Sequence, residues 1–323
     1  MSRVPPAAAD AGRATASGRL EPVRLYLREM YPPVPRFVLA AIYFYSVYLA
    51  LAAYHGEPVA LLAPVPLAGA FTYFFFLLFL RLSDEIKDRR ADRTHFPDRP
   101  VPSGAVPPGW LWGMWGGSLA VLVVLQIPAG GWNPAFLVLL GYGLLMFRYF
   151  FLARWIAPSL VLAVVTHNPV GFLLHVYGIW LFSEMAGVAP LQSFHLGVAF
   201  LMWIPALVWE VARKIRAPAE ETSYQTYSSL FGPGPAAGLA ALGAFAFALV
   251  ALLLAGPVGL GAMGRIAVGA AALGFGWMCL RFALRPSPER ARLRGPAELW
   301  LLVSLAFWCL DLLLTHGDLW SLT

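Results

Sequence analysis

Four carboxylates, Asp84, Glu85, Asp88 and Asp92, stand where the second apolar stretch of the chain runs out into polar sequence, and Arg99-Pro100-Val101-Pro102-Ser103-Gly104 follows directly. At 100° per residue on an α-helix, the four acids fall within an arc of roughly 100°. Lys87, Arg89, Arg90 and Arg93 take the rest of the circumference. An acidic stripe at the edge of a membrane is costly unless cations neutralise it. Hard divalent ions such as Mg²⁺ take carboxylate oxygens and commonly bridge to substrate phosphates. The chemistry this implies is that of a diphosphate handled within a bilayer. A solvated connector of mixed charge is the bland alternative, but it explains neither the segregation of the acids nor the rigid turn after them.

The elements that must position this stripe are membrane-spanning helices. The chain is 59% hydrophobic and only 12% charged, against roughly a quarter charged in a soluble domain. Apolar runs such as 58–80, 235–256 and 299–315 are long enough to cross ~30 Å of hydrocarbon. The pattern predicts an all-α integral membrane protein with nine spans, at about 36–54, 58–80, 109–129, 133–151, 157–183, 194–212, 235–256, 260–281 and 297–315. With the N-terminus in the cytoplasm, every Lys and Arg except Arg265 falls in, or at the edge of, an inside segment. The positive-inside rule then puts the carboxylates on the cytoplasmic face of an inner, multi-pass membrane protein. It also accounts for the net charge of +6 without nucleic-acid binding. Residues 1–22, rich in Ala, Pro, Ser and Gly, read as a disordered tail before one domain over 23–323, with no removable signal peptide. Cys279 and Cys309 sit in apolar segments and are expected to pack rather than to pair.

The two longest inside connections, 81–108 and 213–234, follow the second and sixth spans and each ends in Pro/Gly punctuation. Their four-span spacing suggests two related halves whose loops converge on one chamber.

Asp84-Glu85-Ile86-Lys87-Asp88-Arg89-Arg90-Ala91-Asp92 followed by Arg-Pro-Val-Pro-Ser-Gly resembles the first Asp-rich motif of the UbiA-type intramembrane prenyltransferases, N-D-x-x-D-x-x-x-D and then R-P-L-P-S-G. Asp84 stands where that family has Asn, and Glu85 where it has Asp; Asp88, Asp92 and the turn match. The resemblance implies nine helices around a central cavity capped by cytoplasmic loops. It implies that Asp88 and Asp92 hold Mg²⁺, that Asp84 and Glu85 complete the shell, and that Arg99 grips phosphate oxygens of a prenyl diphosphate. Lys87 is expected to face headgroups or solvent.

The family's second Asp-rich motif is degenerate here. Glu210 keeps an acid at the end of the sixth span, while Arg213 and Lys214 stand near the place of another carboxylate. A site with fewer acids should hold fewer metals, and the two basic side chains are expected either to bind diphosphate directly or to act as topology signals, the role assigned to Arg216. Arg28 and Arg148 occupy positions where the family often places a phosphate-binding cation; an interfacial anchor is the alternative for Arg28. His167 and Asn168, just before Pro169 within the fifth span, read as cavity-lining groups or as interhelical hydrogen bonds. Tyr224 reads as part of a lid or as exposed loop. Asp311 is expected to serve helix packing.

The favoured function is Mg²⁺-dependent transfer of a prenyl group from its diphosphate to a hydrophobic, aromatic acceptor. The alternative is a membrane terpene cyclase acting on the same donor. A protein that binds or transports a phospholipid or polyprenyl phosphate is the reading from another class, and the acidic stripe, repelling phosphate without a metal, argues against it.

Overall fold

The computed structural model describes residues 20–323; the tail expected over 1–22 lies outside them up to residue 19, and helix is already formed from Glu21. Among the described residues the fold is all-α and of the membrane-spanning type, with eight helices long and apolar enough to cross a bilayer. In chain order these are α2 (Pro33–His55), α3 (Pro64–Lys87), α5 (Pro108–Leu125), the α8–α9 pair (Leu160–His167 and Pro169–Ala186), α10 (Ser193–Ala212), α12 (Pro233–Ala255), α13 (Ala262–Leu284) and α14 (Arg294–Thr315). Helix α6 (Pro134–Phe147) is apolar but shorter. Short helices α1 (Glu21–Glu29), α4 (Arg89–His95), α7 (Ala153–Ile156) and α11 (Tyr227–Phe231) lie between the long ones.

Local sequence explains the boundaries. Pro33, Pro64, Pro108, Pro134, Pro169 and Pro233 each open a helix, where the missing N–H has no intrahelical acceptor to lose. Pro169 also divides the fifth expected span at Asn168, whose carbonyl accepts from Trp203 Nε1 at 3.0 Å. The second expected span, 58–80, begins later and runs further. Val59–Ala60 (β1) pairs in parallel with Trp320–Ser321 (β2), and α3 continues to Lys87, carrying Arg81, Asp84 and Glu85 on its last turns.

Tyr43, Tyr73, His175 and Tyr177 are buried in the core between the long helices. Tyr73 Oη lies 3.3 Å from His175 Nδ1, and Tyr177 donates to Gln126 Oε1 at 3.2 Å. A side chain at Gly178 is excluded, because a Cβ there would stand 2.6 Å from Tyr73 Oη. Helix α6 crosses this core: Phe136 at its start packs on Tyr177, ring centroids 5.8 Å apart, and the residues after Phe147 reach the end of α3. Asp311 does serve packing. Its carboxylate accepts from the amides of Gly261 (2.5 Å) and Gly264 (2.8 Å), capping α13 from α14. Both cysteines are free, and Cys309 Sγ rests 3.2 Å from Ser46 Oγ.

Candidate active site

The carboxylate stripe is built at the end of α3, but it does not stay on one helix. Asp88 is the C-cap of α3, and Asp92 belongs to α4 beyond a bend. Glu85 turns inward. It is 1% exposed, ion-paired to Arg81, and its second oxygen has no hydrogen-bond partner. Asp84, half-exposed, pairs with Lys87 Nζ at 2.9 Å, and Asp92 lies 3.9 Å from Arg99 Nη1. Asp88 accepts a hydrogen bond from the Tyr149 hydroxyl.

Tyr149 arrives by an unusual route. Tyr149, Phe150 and Phe151 have φ of 49°, 52° and 59°, a left-handed turn that side chains other than glycine disfavour by about 1–2 kcal/mol each. The turn aims Tyr149 at Asp88 and sets both Tyr149 and Phe150 against His167, with ring centroids 5.7 and 5.9 Å away. It also buries Lys87, contrary to the expected headgroup role. That side chain is 7% exposed, with its Nζ 4.6 Å from the centre of the Tyr149 ring.

The second loop completes the mouth. Glu210 pairs with Arg213 at 2.5 Å and with Lys214 at 2.9 Å. His167 lies within electrostatic reach of Lys87, Asp84 and Glu210, and Arg213 within reach of Asp84. Tyr224 packs its ring on His95 (5.5 Å) and Phe96 (5.4 Å) of the first loop, while Arg99 stacks 3.7 Å from the Phe96 ring centre. The two loops therefore meet, as their spacing suggested.

Burial shapes the acidity of this mouth. It raises the Asp88 carboxyl above the usual aspartate range, and the Tyr149 hydrogen bond partly offsets the rise. Burial likewise raises Asp92 against the pull of Arg99. The Tyr149 hydroxyl is pushed up by burial and by its bond to Asp88. Burial thus works against the charged form of both carboxyls, and a bound cation would work for it.

Thus Asp84, Asp88, Asp92, Arg99, His167, Glu210, Arg213, Lys214 and Tyr224 share one end of the bundle. Arg28 does not join them: it is 73% exposed and pairs with its neighbour Glu29. Arg148 is exposed too, its guanidinium 6.0 Å from the Phe151 ring centre. Sequence reasoning missed Tyr149 and Arg81. A tyrosine just beyond a span reads as an interfacial anchor, and nothing in its neighbours marks it as a partner of Asp88.

The chain matches no family model, no curated protein and no solved structure.

Among the described residues no three His, Cys, Asp or Glu side chains converge as a ready metal cage. A Mg²⁺ ion needs no such cage, since one or two carboxylates with substrate phosphate and water suffice. Asp88 and Asp92 offer that pair, and Asp84 stands one turn away. Glu85, locked to Arg81, is placed to hold α3 rather than an ion. Arg89 Nε and Asn168 Oδ1 are buried without hydrogen-bond partners among the described residues, leaving polar capacity for a ligand.

Proposed function

We propose that this protein is a Mg²⁺-dependent intramembrane prenyltransferase that ionises a prenyl diphosphate and passes the prenyl group to a hydrophobic, aromatic acceptor. One observation carries the reading: an acidic set on the first loop and a basic set on the second share one mouth, where Tyr224 of the second loop packs on His95 and Phe96 of the first. Acids alone repel a diphosphate and bases alone need no acids. Together they suit a magnesium diphosphate. The resemblance of 84–104 to the UbiA-type motif points the same way.

Mg²⁺, when bound, supplies charge neutralisation to the leaving diphosphate. Asp88 and Asp92 would hold it, with Asp84 in support. Glu210 keeps Arg213 and Lys214 neutralised in the resting protein, and phosphate oxygens would take those cations over. Arg99, stacked on Phe96 and 3.9 Å from Asp92, would grip phosphate oxygens from the first loop. The Tyr149 ring, which already faces the Lys87 ammonium, is suited to an allyl cation, and Phe150 beside it helps to exclude water.

Nine spans with a cytoplasmic mouth form part of this proposal. β1 follows α2 and pairs with β2, which follows α14, so the two strands lie on one side. Between them the chain must cross an even number of times. Helices α3, α5, α8–α9, α10, α12, α13 and α14 make seven crossings, and α6 is needed for the eighth. Its 14 residues give roughly 21 Å of helix, and the left-handed turn carries the chain on to Asp88. The basic residues flanking this end favour the cytoplasmic side.

Cyclisation is the second reading, favoured by the aromatic contour that Tyr142, Tyr149 and Phe150 make near His167. Purified protein should release diphosphate from geranyl, farnesyl or geranylgeranyl diphosphate only with Mg²⁺. A cyclic hydrocarbon formed without acceptor identifies the cyclase. No release with any donor across a panel of aromatic acceptors would refute both.

A further inference from the structure

A second charged cleft lies apart from the mouth, on the connection from α13 to α14. Arg281, Arg285, Glu289, Arg290 and Arg292 line an open cleft of about 570 Å³. Four guanidiniums face one acid there. None of the four has a carboxylate within ion-pair distance among the described residues, whereas Arg294, just beyond, is paired with Glu298. Glu289 is engaged by Ser287 Oγ at 2.8 Å, and Arg290 donates to the Arg281 carbonyl at 3.3 Å, which ties the loop back onto the helix. Arg281, Arg285 and Arg292 are exposed, so together with Arg290 they give the cleft a positive field open to an anion.

The position narrows what that anion is. Trp209, near the end of α10, donates to Glu298 at the start of α14, so the cleft sits at the same end of the bundle as the mouth. It lies at the exit of a span, where headgroups are. On the face of α13 above Arg281 and Arg285, exposed Met278, Gly274 and Ala270 follow at helical spacing, and a Cβ at Gly274 would meet open space. A phosphate-bearing headgroup fits among the guanidiniums, and an acyl chain fits along that shallow apolar face. Basic pockets beside spans on the cytoplasmic side bind anionic lipid headgroups in this manner.

We propose that the cleft of Arg281, Arg285, Arg290 and Arg292 is a binding site for an anionic phospholipid, separate from the carboxylate mouth. Nothing in this assignment depends on prenyl chemistry.

The test uses full-length protein in neutral detergent, with dioctanoyl phosphatidylglycerol, dioctanoyl phosphatidylcholine and inorganic phosphate as probes, read by native mass spectrometry and thermal shift. Phosphatidylglycerol should bind and raise Tm, and the other two should not. In R281Q/R285Q/R292Q the affinity for phosphatidylglycerol should fall about a hundredfold, at about fivefold per arginine. Arg290 is left in place because it anchors the loop. Should the triple variant misfold, R285Q alone should still weaken binding about fivefold. Equal binding of the two lipids, undiminished binding in the variants, or a full response to inorganic phosphate alone would each overturn the assignment.

Discussion

Substituting Asp88→Asn separates the chemistry of the mouth from its architecture. The amide keeps an acceptor for the Tyr149 hydroxyl and nearly the same volume, and it removes one negative charge. Burial already disfavours that charge, as the raised pKa of the Asp88 carboxyl records, so its loss should leave Tm unchanged or slightly higher. Activity should move the other way. Losing one group that stabilises developing charge typically costs about 10²–10³ in kcat, or about 2.7–4 kcal/mol. The assay is Mg²⁺-dependent diphosphate release by wild type, Asp88→Asn and Asp98→Asn in parallel with thermal unfolding. Asp98 lies exposed in the same loop and makes no ion pair among the described residues, so its variant controls for charge alone. Activity within tenfold of wild type in Asp88→Asn would sink the metal role of this carboxylate. Loss of activity together with a lowered Tm would instead assign Asp88 to the fold.

Tyr149→Phe removes a hydrogen bond that lowers the pKa of Asp88. Asp88 then titrates higher, and the acid limb of Mg²⁺-dependent activity should shift to higher pH; an unmoved limb would contradict the coupling. The sign for stability is opposite to that for metal binding. A folded-state pKa above the ordinary aspartate value of 3.8 means that metal-free stability falls as pH rises through the Asp88 titration, and Mg²⁺ titrated against Tm should reverse the trend. Lys214→Ala should raise KM for the diphosphate roughly tenfold with little change in kcat, whereas unchanged kinetics would return Lys214 to a topology role. Asp311→Ala leaves the Gly261 and Gly264 amides without their acceptor, and unfolding should register a loss of about 2–4 kcal/mol, with specific activity of the folded fraction retained. Phe151→Gly at a 72% exposed, left-handed position should raise stability by about 1 kcal/mol; a fall in Tm would show that the Phe151 ring contributes more than its backbone costs.

Apolar run lengths and proline positions made the helical class legible, because a span must satisfy its own backbone within the bilayer and therefore declares itself in composition. The meeting of the two polar loops was legible from their order along the chain. What the sequence concealed was side-chain direction. The stripe argument assumed one helix through Asp92, but the bend at Asp88 and the pairing of Glu85 with Arg81 redistribute the four acids. Lys87 is identical in sequence terms to a headgroup anchor, and the Tyr149 ring that covers its ammonium comes from the left-handed turn at 149–151. Such a turn, built from Tyr and two Phe rather than Gly or Asn, runs against local preference and so leaves no local mark to read. The parallel pairing of residues near 60 with residues near 320 is equally invisible, because two-residue strands carry no periodicity.

That pairing has a consequence for biosynthesis. The amides of Val59, Leu61 and Leu62 find their acceptors on Leu319, Ser321 and Leu322, so the first hairpin stays unsatisfied on its own surface until all intervening spans have been inserted. A chain lacking α14 and the residues after it would leave those amides to water, so the clasp couples the start of the bundle to its last described helix.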